Sequence, residues 1–285
     1  MAAAGHSFWG DLRRGSGDVS PGELKGARRK PCPFFATRWS ATGSTGLHCY
    51  PDLVSELNLN LENWKSARPP QAITLDGQWS RLEPLTAAQH GHSIWLAVNG
   101  HDSVWTWLSD GPYAREEDCL QALRAKENDN ASRFFAILPK QPSGTAGSAA
   151  GYASLMRIDA PNGVIEVGNI MFSPQLQRTR AATEVIYLMA RYVFEELGFR
   201  RYEWKCNALN LPSRRAAERF GFAFEGIFRQ HMVIKGRSRD SAWYSMLDSE
   251  WPARKRTFER WLDPANFDTE GNQIQSLASL ANTSK

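Results

Sequence analysis

The stretch Val164–Ala182, VIEVGNIMFSPQLQRTRAA, constrains the fold of this chain more than any other. It reads as a strand that runs into a short loop and opens directly into a helix. Backbone N–H groups at such a helix start have no partner inside the helix, and together with the dipole they form an anion site. Arg178 and Arg180 stand in that first turn, where the dipole disfavours positive charge. A bound phosphate removes the conflict. The strand leading into the site carries a carboxylate, Glu166. The combination implies an enzyme that grips a phosphate-bearing cofactor beside an acid/base residue; the alternative is two arginines that merely solvate a helix end.

The rest of the composition narrows the class. A chain of 285 residues holds one large domain or two small ones, and eleven tryptophans argue against general disorder. The first 50 residues carry seven Lys/Arg against three Asp/Glu, so the whole net charge of +4 lies there. A formally neutral body lacks the basic face that nucleic-acid binding requires. Cys32, Cys49, Cys119 and Cys206 include no CxxC pair, and Cys32, His48 and Cys49 match no zinc spacing, so free thiols and no metal are expected. No apolar run reaches about 18 residues, so no membrane span is expected. The N-terminus lacks the apolar core of a signal peptide, and Asp11, Asp18 and Glu23 weaken a mitochondrial presequence, which leaves the cytoplasm as the expected compartment.

The chain divides into an arm, a body and a tail. Residues 1–70 are rich in Gly, Ser, Pro and Arg and end in the breaker Pro69-Pro70, with one short periodic piece at Leu53–Leu61. Residues 263–285 form a polar tail that is expected to fray. In the body, 71–262, strands are expected at Gln78–Leu85, Phe134–Leu138, Ala150–Ile158 and Val164–Phe172, and helices at Ala87–Val98 and Arg115–Glu127. Asn162-Gly163 is a hairpin turn signal. The strongest helix is Ala181–Leu197, with Gly198 placed to end it. Arg201–Cys206 alternates as a strand, and Asn210, Pro212 and Gly221 frame a second helix. Phe222–Ile234 and Ser241–Leu247 then make a hairpin around Lys235-Gly236. The fold class is mixed α/β with one central sheet flanked by helices.

The run Asn210–Asp240, NLPSRRAAERFGFAFEGIFRQHMVIKGRSRD, resembles the C-terminal half of the GNAT superfamily of N-acetyltransferases, in particular its ribosomal-protein N-acetyltransferase branch. The shared marks are Asn-x-x-Ser, Glu-x-x-Gly-Phe and Glu-Gly in that order, with Arg180–Val185 and Gly198–Ala208 adding to them. The resemblance extends loosely over Leu75–Pro252. It implies acetyl-CoA as acyl donor, held by a loop of the form Gln/Arg-x-x-Gly-x-Gly/Ala. Gln177, Arg178, Thr179, Arg180, Ala181 and Ala182 fill that loop here, with Arg180 where the family prefers glycine. By the same resemblance Asn210 contacts the pantetheine arm and Ser213 lies near the thioester sulfur, although both residue types are also ordinary helix caps.

An amine attacks only when neutral, so a base is required. Neutralising a lysine-like ammonium at pH 7 costs about 4–5 kcal/mol, against about 1–1.5 for a peptide α-amine. Glu166 is the first candidate, eleven positions before Gln177 as in histone-type members of the superfamily; Glu203 is the second, and water-mediated deprotonation the third. The resemblance also implies an oxyanion-binding backbone N–H within Asn169–Phe172. Cys206, at a strand end on the buried face, is not expected to act as nucleophile. Three readings follow: transfer to a small-molecule amine, transfer to a protein N-terminus, and a non-catalytic module that binds CoA or a partner.

Overall fold

The computed structural model describes residues 61–141 and 143–282. The Leu53–Leu61 piece, Leu61 itself excepted, lies outside them, as do Cys32, His48 and Cys49. Among the described residues, eight strands form one sheet in the order β1-β2-β3-β4-β5-β6-β8-β7. They are β1 Leu75–Asp76, β2 Ser80–Pro84, β3 Arg133–Pro139, β4 Gly151–Asp159, β5 Val164–Phe172, β6 Arg201–Asn207, β7 Ala223–Ile234 and β8 Arg237–Leu247. All neighbours run antiparallel except β5 and β6, which are parallel and joined by the crossover helix α3, Arg180–Arg191, with its wider last turn Tyr192–Glu196. Gly198, at φ +76°, ends that crossover as its spacing predicts.

The two faces of the sheet are covered by different elements. Alternate residues of β3 divide between two apolar clusters: Phe135 and Ile137 face one, Phe134, Ala136 and Leu138 the other. The larger cluster holds α3, where every residue from Ala181 to Ala190 is buried, together with α5 (Trp251–Leu262). A helix buried on all sides is a core helix rather than an amphipathic surface one. The smaller cluster lies under α1 (Ala87–Val98) and α2 (Glu116–Glu127) and a short 3-10 turn, Asp102–Trp105. Glu166 is registered with Met156 on β4 and with Glu203 on β6, and Gly168 with Ser154, so these residues share the α1/α2 face.

The folded body is larger than the sequence boundaries imply. Before Pro69, Trp64 Nε1 donates to Pro161 O at 2.8 Å and Arg68 N to Leu197 O at 2.8 Å, with Ala67 buried. The Asn162-Gly163 turn explains the docking: Gly163 has φ +65°, and a Cβ there would stand 2.5 Å from the Trp64 ring. Residues 263–282 of the tail are packed where the composition predicts fraying. They pack through Phe267 against Trp261 and include α6, Leu277–Asn282, whose Leu277 and Leu280 enter the main core. A polar composition hid two leucines at i, i+3 spacing, enough to seat one helical turn.

Candidate active site

The parallel pairing of β5 with β6 runs from Val164↔Arg201 to Val167↔Trp204 and stops. Beyond it the strands part, and Gly168, Asn169 and Ile170 on one side and Lys205, Cys206 and Asn207 on the other line a cleft of about 1210 Å³. A bulge opens the fork. Tyr152 pairs with Met171 and Ser154 with Gly168, so Asn169 and Ile170 have no register partner on either neighbouring strand. Asn169 takes φ +49° and is fixed by its side chain, whose Nδ2 donates to Ser154 Oγ at 3.0 Å. Non-glycine residues rarely adopt that region, and such strain clusters at functional sites.

At one end of the cleft stands the start of α3. Thr179 is its N-cap: its Oγ1 accepts from Ala182 N at 3.1 Å and donates to Leu176 O at 2.7 Å. Gln177 anchors the loop by donating from Nε2 to Phe172 O at 2.9 Å. The left-handed residue of this loop is Arg178, at φ +63°, while Arg180 is the first residue of the helix with ordinary dihedrals. Arg180 therefore needs none of the freedom that a glycine supplies. Its guanidinium stacks between Trp79, 4.2 Å from the ring centroid, and Phe267, at 4.5 Å. Arg178, Arg180 and Ala182 line the cleft; Ala181 is buried behind it. The tail segment Glu270–Gln273 completes this wall.

Arg219, at the end of α4 (Leu211–Arg219), joins the same end, where its Nη1 donates to Thr183 Oγ1 at 3.1 Å. Burial pulls its pKa down, as expected for a cation without a carboxylate beside it. At the start of α4, Asn210 Oδ1 accepts from Ser213 N at 3.1 Å and so serves as the N-cap. Ser213 Oγ accepts from Trp204 Nε1 at 3.0 Å. Its neighbour Cys206 is buried, and burial raises the thiol pKa, which keeps it protonated and poorly nucleophilic.

The carboxylates meet on the other side of the fork. Glu166 is 4% exposed, and its Oε2 lies 3.0 Å from Lys205 Nζ and 3.4 Å from Arg157 Nε. Oε2 is fully buried, and these two cations are its partners. Burial raises the Glu166 pKa, and the charges of Lys205 and Arg157 oppose that rise without cancelling it. Glu203 sits beside it in register, but is held by Lys205 at 2.7 Å and Arg201 at 2.8 Å. Glu166 lines the cleft and Glu203 does not. Glu225 pairs with Arg201, whose Nη1 donates to it at 2.7 Å.

Lys205, Arg157, Arg219 and Arg239 are the lining cations that sequence reasoning passed over. Lys205 carried one signal, its alternation with Glu203. Its place between two carboxylates depends on the parallel register, which links residues 37 apart (Glu166↔Glu203). Among the described residues no three His, Cys, Asp or Glu side chains gather as a metal group, and no helix is long and apolar enough to cross a membrane.

Comparison with known proteins agrees with this geometry. The model of the Acetyltransferase (GNAT) domain family matches residues 81–223. The uncharacterized N-acetyltransferase YnaD of Bacillus subtilis is 26% identical over 160 residues, 55% of this chain and 89% of its own length. The "Putative ribosomal N-acetyltransferase YdaF" of the same organism is 31% identical over 109 residues, 38% of this chain and 59% of its own. The crystal structure of a GCN5-related N-acetyltransferase from Brucella melitensis superposes with a TM-score of 0.73 at 46% identity, covering 77% of this chain and 99% of that one. A family model that spans half the chain, a GNAT sheet forked between its parallel strands and an anion-ready helix start at that fork lead to one conclusion: this chain belongs to the GNAT acetyltransferase family, enzymes that use acetyl-CoA to acetylate amines.

Proposed function

We propose that this enzyme moves the acetyl group of acetyl-CoA directly to the primary amine of a small molecule, with Glu166 as base. One observation carries the reading: among the described residues, the only carboxylate on the cleft wall at the fork is Glu166, buried between two cations and yet with a raised pKa. A base poised above the ordinary carboxylate range accepts a proton more readily, as general-base catalysis requires.

In this reading the backbone of Gln177, Arg178, Thr179, Arg180, Ala181 and Ala182 holds the pyrophosphate at the start of α3, with the guanidiniums of Arg178 and Arg219 beside it. Arg180 acts through its stack, fixing the wall. Asn210 keeps its Oδ1 on the helix cap and offers Nδ2 to the pantetheine arm. Ser213 accepts from Trp204 and retains its own hydrogen for the leaving sulfur, helped by the positive end of α4. The unpaired backbone of Asn169 and Ile170 is the place for the N–H that meets the oxyanion, a contact worth about 10²–10³ in rate.

The protons balance. An ammonium acceptor brings three; one leaves to solvent through Glu166, one reaches sulfur as the C–S bond breaks, and one stays on the new amide. Glu203 positions Lys205, and Lys205 in turn orients Glu166.

A small acceptor is favoured by the roof over this end. The β7–β8 turn reaches the 3-10 segment, where Lys235 Nζ donates to Trp105 O at 2.9 Å. Met232 and Ile234 line the cleft together with Val104, Trp107 and Leu108. A protein N-terminus is the second reading, favoured by the printed name of the YdaF relative. The test is thiol release from acetyl-CoA with a panel of small amines and of short peptides with free N-termini. Turnover of small amines, abolished by Glu166→Gln, supports the proposal; turnover confined to peptides moves the assignment to the second reading.

A further inference from the structure

The cations on the cleft wall fall into two groups. Arg178, Arg180 and Arg219 line the cleft at the helix start, while Arg157, Lys205 and Arg239 come from β4, β6 and β8; the first two contact Glu166 and the third acts on it electrostatically. Phosphates of the donor answer the first group. Nothing in the donor answers the second, because its three charges face one carboxylate on the wall.

Arg157 and Lys205 already contact Glu166. Arg239 differs. It has no hydrogen bond or ion pair among the described residues, and its Nε is fully buried and unpaired. The nearby Asp240 does not serve it, since that carboxylate accepts from Gln230 N at 2.7 Å and lies off the cleft wall. A half-buried guanidinium is costly without an anion, and its planar fork suits a carboxylate. The same cleft wall carries apolar residues: Met232, which is the register partner of Arg239, and Met156, Ile234, Trp107 and Leu108.

We infer, resting on the acetyl-transfer reading above, that the acceptor is an amine carrying its own carboxylate and an apolar side chain, with Arg239 binding the carboxylate while Glu166 faces the amine. A polyamine is disfavoured, because its second ammonium would meet three cations. The bond changes are those already given, and the carboxylate remains ionised throughout.

The experiment compares acceptors that differ only at the anion: leucine against leucinamide and isoamylamine, phenylalanine against phenethylamine, with spermidine as a polycation. The amino acids should show the higher kcat/KM by about 10- to 100-fold, the range expected for one hydrogen-bonded charge pair. Arg239→Gln should raise KM for the amino acids by a similar factor, leave kcat within about 3-fold and change kcat/KM for the amines that lack a carboxylate by much less than that factor. Calorimetry supplies a readout without turnover: N-acetyl-leucine should bind the CoA-loaded protein, and Arg239→Gln should weaken it while acetyl-CoA binding and Tm stay unchanged. Equal or better turnover of phenethylamine or spermidine overturns this inference and leaves the transferase reading standing. No thiol release with any of these amines, in a protein that binds acetyl-CoA, overturns both.

Discussion

Glu184 and Glu166 are both carboxylates buried to within a few per cent of full enclosure, yet they are built for opposite purposes. Glu184, in the middle of α3, accepts from Gln78 N, Trp79 N, Ser80 N and Ser80 Oγ at 2.7–2.9 Å. Its charge is met by a cradle of neutral dipoles with directed hydrogen bonds, and the β1–β2 turn is fixed to the core helix. Gly77 has to be glycine there, since a Cβ would stand 2.4 Å from the Glu184 carboxyl. Glu166 is met instead by the charged ends of Lys205 and Arg157, and it lies on the cleft wall, where Glu184 does not. A carboxylate enclosed by directed neutral donors is structural; one on a cleft wall with a raised pKa is available for chemistry.

Exchanging the two roles should break the protein in different ways. The largest effect is expected from Glu184→Ala, which strands three N–H groups and a hydroxyl, the two of Ser80 being buried. Unfolding in urea should show a loss of about 4 kcal/mol or more, at about 1–3 kcal/mol for each orphaned donor. Glu166→Gln should leave the urea midpoint near that of wild type and lower kcat at least about 100-fold, near 2.7 kcal/mol of barrier. If both variants lose stability equally, the distinction between the two sites fails.

A smaller effect follows from Arg180→Glu, which removes the stack on Trp79 and Phe267 and places a negative charge at the α3 start. Calorimetric titration should show acetyl-CoA affinity falling about 2- to 150-fold, from about 0.5–2 kcal/mol for the stack and up to about 1 for the dipole. Undiminished affinity would mean that the anion end of the cleft lies elsewhere. The mildest change is expected from Glu203→Gln. That carboxylate is off the cleft wall, so kcat should drop less than about 10-fold. A loss matching that of Glu166→Gln would make Glu203 the base.

The elements of this fold were legible where a local signal specifies them. Val164–Phe172 and Ala87–Val98 coincide with β5 and α1, and Asn210 caps α4, because periodicity and capping act within a few residues. Arg180 was recognised as an unusual loop residue, but its stack depends on Phe267 from the tail, 87 positions away, which no local pattern announces. The charged cluster was half legible for the same reason. Alternation puts Glu203 and Lys205 on one face, whereas their meeting with Glu166 comes from the parallel register, and Arg239 from a strand that begins earlier than Ser241.

The central claim is that Glu166 takes the proton, and the pH dependence of kcat/KM tests it most directly. Acetyl transfer needs a neutral amine and an ionised base, so log kcat/KM should rise with slope 2 at low pH and with slope 1 above the Glu166 pKa. Because burial raises that pKa, the break should lie above the ordinary carboxylate range, with activity lost as pH falls through it. In Glu166→Gln the break should vanish and leave a single slope at reduced rate. A variant that keeps the same break, or the wild-type rate, would contradict the assignment.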